Sequence, residues 1–161
     1  MKINKVLTFI LFFGCFAVNA QQTEIKLKEY SFSETERLQE NNPRPLFIFI
    51  YTDWCKICEG MKKTTFKNNE VISLLNKHFY FIKLNGEEKK DITFLGKTFA
   101  YKPTGNKTGT HQLAKELSSI KGKISYPTTT ILNSKFEIDI QVDSFINSKK
   151  MKKILESYLN H

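Results

Sequence analysis

The chain has 161 residues, with 25 Lys and Arg against 16 Asp and Glu, giving a formal net charge of +9. This is the length of one ordinary domain with enough chain for a real core, and it carries no internal repeat or low-complexity tract. The lysines are scattered, with small clusters at Lys62-Lys63, Lys89-Lys90 and Lys149 to Lys153 and no aromatic-basic stripe, which argues against a nucleic-acid partner and for a solvated basic surface.

Residues 1–20 read as a secretory signal peptide: Lys2 and Lys5, an apolar run from Val6 to Val18, then Asn19-Ala20. Cleavage after Ala20 leaves a mature domain of residues 21–161 with a charge of +7. Lipid attachment at Cys15 is disfavoured by the bulky Phe12 and Phe13 and by the apolar stretch continuing past it. The expected location is the periplasm or another exported compartment, with membrane association only if the N-terminal segment is retained. No later stretch is apolar enough to span a membrane.

Residues 24–30 alternate apolar and polar and predict a strand. Ser33, with Glu36 three residues on, predicts the N-cap of a short helix to Asn42, ended by Pro43 and Pro45. Leu46 to Tyr51 is an unbroken apolar and aromatic run, the pattern of a strand buried on both faces. A helix follows from about Cys55 to Phe66, with Cys58, Met61 and Thr65 on one face. Asn69 caps a further helical piece carrying Val71, Leu74, Leu75 and His78, and Phe79 to Leu84 is a second buried strand.

Residues 86–122 read as an insertion. Residues 92–94 and 98–101 predict a hairpin about Gly96, Lys102 to Thr110 a loop, and Thr110 the cap of a helix through Leu117. Pro127 opens a strand, Thr128 to Leu132, which turns at Asn133-Ser134-Lys135 and returns as Phe136 to Val142. A last helix from about Ser148 carries Met151, Ile154, Leu155, Tyr158 and Leu159 on one stripe. The expected class is therefore α/β, a central mixed sheet with helices on both faces.

The informative number is the cysteine count. After loss of Cys15 only Cys55 and Cys58 remain, three apart. Disulfide stabilisation grows with loop length, so so short a loop points to chemistry rather than stapling. Thiol–disulfide exchange needs an attacking thiolate and a second thiol that resolves the mixed disulfide. A strand-to-helix junction supplies unpaired amides and a helix dipole that favour the thiolate, so Cys55 fits the attacking role and Cys58, one turn on and aimed inward, the resolving role. Lys56 adds positive charge, Glu59 is a candidate proton acceptor on an otherwise solvated face, and Trp54 offers a flat apolar surface to a substrate peptide.

Rival chemistries fit less well. A zinc site wants four ligands, and neither a second Cys pair nor spaced histidines are present, so no metal is expected. Haem attachment needs His where Glu59 stands. Asp53 and Asp91 are not a spaced pair, and Gly105 and Gly109 lack the context of a phosphate loop. His111 is expected to be a surface or capping residue.

The segment Phe49-Ile50-Tyr51-Thr52-Asp53-Trp54-Cys55-Lys56-Ile57-Cys58, with Tyr126-Pro127-Thr128 farther on, resembles the thioredoxin superfamily. It is most similar to the C-terminal periplasmic domain of DsbD-type electron transporters and to exported thioredoxin-like proteins of Bacteroidetes. The resemblance implies a thioredoxin-like fold with the insertion ahead of a cis-proline strand. It implies that Pro127 is cis and packs against the Cys pair, and that Tyr126 pairs its backbone with a bound substrate strand. It implies no cofactor beyond a redox-active Cys55–Cys58 disulfide, and partners that are protein thiols or disulfides and an upstream electron donor. Two departures stand out. Phe49 occupies the place of the family's buried Asp, and Lys-Ile separates the cysteines where thioredoxin has Gly-Pro. The expected function is an exported oxidoreductase working as a reductase; the alternatives are a binding module with an idle disulfide, or an oxidase or isomerase.

Overall fold

The computed structural model describes residues 25–106 and 108–160. The expected signal peptide, residues 1–20, and Cys15 lie outside the described residues.

A run of five residues with no accessible surface, Leu46 to Ile50, forms the centre of the molecule. This strand, β1 (Leu46–Tyr51), pairs in parallel with β2 (Tyr80–Asn85) and antiparallel with β9 (Thr128–Leu132), which pairs antiparallel with β10 (Ile138–Val142). The four-stranded order is β10-β9-β1-β2. Side chains alternate across a strand, so Phe47 and Phe49 enter one core layer and Leu46, Ile48 and Ile50 the other.

The first layer is closed by α2 (Lys56–Lys63), α3 (Asn69–His78) and α5 (Ser148–Leu159), through Cys58, Met61, Val71, Leu75, Met151 and Leu155. The second is closed by α1 (Phe32–Gln39) and α4 (Gln112–Ser118), with Phe94 and Phe99 of the hairpin β3 (Ile92–Phe94) and β4 (Lys97–Phe99). The expected mixed sheet with helices on both faces is therefore present. Among the described residues no helix is long and apolar enough to cross a membrane.

Several boundaries differ from the sequence reading, each for a local reason. The strand expected at 24–30 is a single bridge, Glu29 to Phe81. The amide of Asn76 takes the backbone of this segment, accepting from Lys28 N at 2.8 Å and donating to Lys26 O at 2.9 Å, so its polar groups need no second strand. The first helix is capped by Ser31 with Glu34, not by Ser33 with Glu36, a frame that buries Phe32 and Thr35. Asn68 rather than Asn69 caps α3, accepting from the amides of Glu70 and Val71.

The helix expected to run to Phe66 stops at Lys63, and Thr65–Lys67 form a separate 3-10 turn. The Thr64 hydroxyl donates back to Gly60 O, and the Thr65 hydroxyl donates to Ile146 O at 2.7 Å, tying the turn to the start of α5.

The insertion is more ordered than expected. Lys102 to Thr110 is not loop: β5 (Tyr101–Gly105) and β6 (Thr108–His111) form an antiparallel ribbon. β5 is mostly exposed and the buried positions of β6 are Gly109 and His111, so neither strand shows the apolar alternation that marks one in sequence. A small hairpin, β7 (Ser119–Ile120) and β8 (Lys123–Ile124), turns through Lys121 and Gly122, both at positive φ. Gly122 meets that backbone without a Cβ penalty. His111, not Thr110, occupies the N-cap position of α4, and its side chain makes no cap bond.

Phe47 packs edge-on against Phe66 and Phe79 and stacks on Phe81, at centroid distances of 6.1, 6.4 and 5.8 Å. A deletion there leaves a cavity the sheet cannot collapse around. Phe47→Ala is expected to lower the unfolding free energy by about 3–5 kcal/mol in urea titrations; a loss below about 1 kcal/mol contradicts this account of the core.

Candidate redox site

The site grows from the C-terminal end of β1. Beyond Tyr51 the chain turns, Cys55 N donating to Thr52 O at 3.2 Å, and α2 begins at Lys56 with Cys55 as its N-cap. The Cys55 sulfur accepts from Cys58 N at 3.1 Å, satisfying one of the orphan amides of the first turn. Cys55 and Cys58 are joined as a disulfide, with Cα atoms 5.2 Å apart. Cys55 is 7% exposed and Cys58 fully buried, so the two sulfurs are not equivalent to an incoming group. Cys55, expected to be exposed, is nearly buried in the disulfide form and keeps only a narrow face, while Cys58 points inward as expected.

The Cys pair is framed by exposed apolar side chains. Trp54 is 66% exposed and meets the Tyr126 ring edge-on at 6.1 Å. Ile57 is exposed between the cysteines, and Phe145 is exposed beside Gly60 of α2. Sequence reasoning missed Phe145, which comes from the connection between β10 and α5, distant in sequence and without a motif. Lys56 is exposed on the first turn of α2. Glu59 is half-exposed and faces Lys62 and Lys63 at 3.5 and 3.8 Å, an exposed helical pair rather than a partner of the disulfide.

The Tyr126–Pro127 peptide bond is cis, as the resemblance implied. Antiparallel pairing of Ile50 with Thr128 brings this bond to the same end of the sheet as the Cys pair. Behind Tyr126 stands the insertion. Gly86 N donates to Tyr51 O and His111 N to Gly86 O, at 2.6 and 2.8 Å. A Cβ on Gly86 would strike the Tyr126 ring and hydroxyl. Burial, and then the Glu87 carboxylate, hold the Tyr126 hydroxyl above its ordinary pKa, opposed by Thr110. That hydroxyl has no well-formed hydrogen bond among the described residues.

His111 corrects the sequence reading. It is fully buried, and neither ring nitrogen has a hydrogen-bond partner among the described residues, so it is not a surface residue. No periodicity around it marks it as interior. Phe49, at the position of the missing acid, is buried, stacks on Tyr51 at 5.7 Å and packs edge-on to Phe66 at 4.8 Å. The layer behind Cys58 is thus aromatic. Among the described residues no three His, Cys, Asp or Glu side chains gather as a metal site.

A family model, Thioredox_DsbH, described as a protein of unknown function (DUF255), matches residues 16–110, more than half of the chain. The chain belongs to the Thioredox_DsbH family. Its fold is similar to a solved DsbH oxidoreductase, with a TM-score of 0.61, 17% identity and coverage of 88% of this chain and 93% of the other. It is also similar to the C-terminal domain of Neisseria meningitidis DsbD in the reduced form, with a TM-score of 0.51, 17% identity and coverage of 76% and 88%. These likenesses show the thioredoxin-like fold, and the expected kinship with DsbD-type domains holds at that level. A curated relative, the uncharacterized protein B0495.5 of Caenorhabditis elegans, is 30% identical over 71 residues, 44% of this chain; the match spans only about a tenth of that relative's length.

In this family member Trp54 is the single tryptophan. Its emission reports on Tyr126, and through Tyr126 on Gly86. Gly86→Ala is expected to cost about 1–3 kcal/mol in stability and to shift Trp54 emission as Tyr126 is pushed from its place. Unchanged emission together with unchanged stability would show that the tyrosine is not seated against Gly86.

Proposed function

We propose that this chain is an exported thiol–disulfide oxidoreductase that reduces protein disulfides, with the Cys55–Cys58 dithiol as its redox group. One observation carries the reading: a disulfide at the first turn of a helix, in which Cys55 keeps a narrow exposed face at 7% and Cys58 has none. A structural staple has no use for that asymmetry, whereas exchange depends on which sulfur is attacked.

In the reducing direction the Cys55 thiolate attacks a substrate disulfide. The substrate S–S bond breaks, a mixed disulfide forms at Cys55, and the departing substrate sulfur takes a proton. The Cys58 thiolate then attacks the Cys55 sulfur, releasing the second substrate sulfur, which is protonated, and closing Cys55–Cys58. The substrate gains two electrons and two protons, and a dithiol donor restores them to the protein. Helix-end amides favour the Cys55 thiolate, and Lys56 is placed to add to this. Trp54 and Tyr126, with Pro127, form the surface on which a substrate strand would lie. Glu59, paired with lysines, is left a weak claim to tuning the pair.

The direction of electron flow and the exported location rest on kinship with DsbH and DsbD-type domains and on the signal-like residues 1–20. The partners on this reading are protein disulfides downstream and a membrane or soluble dithiol donor upstream.

Cys55→Ser is expected to abolish dithiothreitol-linked reduction of insulin, and Cys58→Ser to accumulate mixed disulfides visible on non-reducing gels. Wild-type turnover in Cys55→Ser sinks the assignment. Alkylation trapping in the native host decides direction: a chain recovered mainly as dithiol supports the reductase, one recovered fully oxidised the oxidase.

A further inference from the structure

Three threonines follow one another in β9, and they are not treated alike. The Thr128 hydroxyl donates to Ser125 O at 2.8 Å and the Thr130 hydroxyl to Leu117 O at 2.6 Å. Thr129, between them and 1% exposed, has no hydrogen-bond partner for its hydroxyl among the described residues. A buried hydroxyl in that state is costly, and its presence asks for a reason.

Alternation along the strand sends Thr129 to the opposite face from Thr128 and Thr130. In the antiparallel register Thr129 stands opposite Phe49 on one side and Val142 on the other. Directly opposed residues share a face, with Cβ atoms about 4.5–5.5 Å apart. Phe49 belongs to the core layer that holds Cys58, and Val142 packs against that layer. The unpaired hydroxyl therefore opens into the same apolar layer as the buried sulfur. Thr65 is committed to Ile146 O, Phe49 offers nothing to a thiolate, and Thr52, whose hydroxyl is also unpartnered among the described residues, lies in the turn before Cys55 rather than on the strand facing Phe49.

The sulfur of a disulfide is a poor acceptor, while a thiolate is a charged one that makes strong hydrogen bonds. A hydroxyl left over in the disulfide form thus gains its partner when the bond opens. We propose that Thr129 is a positioning residue for the redox pair: once the disulfide opens, its O–H donates to the Cys58 sulfur, most strongly to the thiolate that attacks Cys55, and so favours the reduced pair over the disulfide. The inference rests on the redox reading for its role in turnover, but its test does not.

Reduction by glutathione breaks the Cys55–Cys58 bond and makes two protein thiols. Two glutathione molecules supply the two electrons and two protons and leave as glutathione disulfide. The equilibrium constant is measured in glutathione buffers by alkylation and mass. Thr129→Val, nearly the same shape without the hydroxyl, is expected to move the equilibrium towards the disulfide by about threefold or more, roughly 14 mV. Thr129→Ser is expected to stay within that margin of the wild type. Should Val not fold, Thr129→Ala and Thr129→Ser differ by one hydroxyl, and the same gap is expected between them. A smaller shift in Val, or Ser displaced as far as the hydroxyl-free variant, overturns the proposal. Loss of insulin reduction with the Thr129 shift intact would instead overturn the proposed activity alone.

Discussion

The antiparallel pairing of β1 with β9 is the constraint on which the rest of this structure depends. β1 must be buried on both faces, because five successive side chains have no accessible surface. With β2 parallel on one side, the other side is taken by a strand running the opposite way. Only then does the end of β1, where the chain turns into the Cys pair, meet the beginning of β9, where Tyr126 and Pro127 sit. The two halves of the site are about seventy residues apart in sequence and are brought together by this register, across which Trp54 meets Tyr126. A slip of one residue would turn Phe49 and Thr129 away from the sulfur layer and break the apolar match of both core faces.

The insertion then acquires a physical role. It runs from the end of β2 towards β9, and its backbone is pinned at Gly86, which bonds to Tyr51 on one side and His111 on the other. The absence of a side chain at Gly86 leaves the space that the Tyr126 ring fills. The insertion is thus part of the wall that seats a site residue. It contributes apolar mass as well, since Phe94, Phe99, Leu113 and Leu117 complete the second core layer.

Legibility in the sequence followed the strength of the physical signal. β1, β9, α5 and the β3–β4 hairpin were readable because burial on both faces, a long apolar stripe or a glycine at the turn, Gly96, leaves a mark that survives without context. The Cys pair and the proline were readable because their chemistry needs those residue types. The capping frames at Ser31 and Asn68 were off by one or two because two equivalent caps lie side by side, and only burial of Phe32 and Thr35 decides the first. The β5–β6 ribbon was unreadable because β5 is mostly exposed and the buried positions of β6 are Gly109 and His111, neither of which marks a strand. His111 and Phe145 were misjudged or missed because nothing local distinguishes an interior histidine or a site-facing phenylalanine from an ordinary surface one.

The aromatic layer behind Cys58 shows why a missing acid need not mean a missing function. A carboxylate at position 49 would have to be desolvated among Phe47, Phe66 and Phe81, at a cost that only a nearby partner could offset. Phe49 removes that cost and lends its area to the core. A proton acceptor is lost with the acid, but a separate need remains, because a thiolate sealed from water requires a hydrogen-bond donor. A neutral hydroxyl is much cheaper to bury than a charge, and β9 carries one at the register position opposite Phe49. Packing on β1 and a hydroxyl on β9 let the core stay apolar while one polar hydrogen faces the layer that holds the buried sulfur. The same register that brings proline to cysteine also decides which strand supplies that hydrogen.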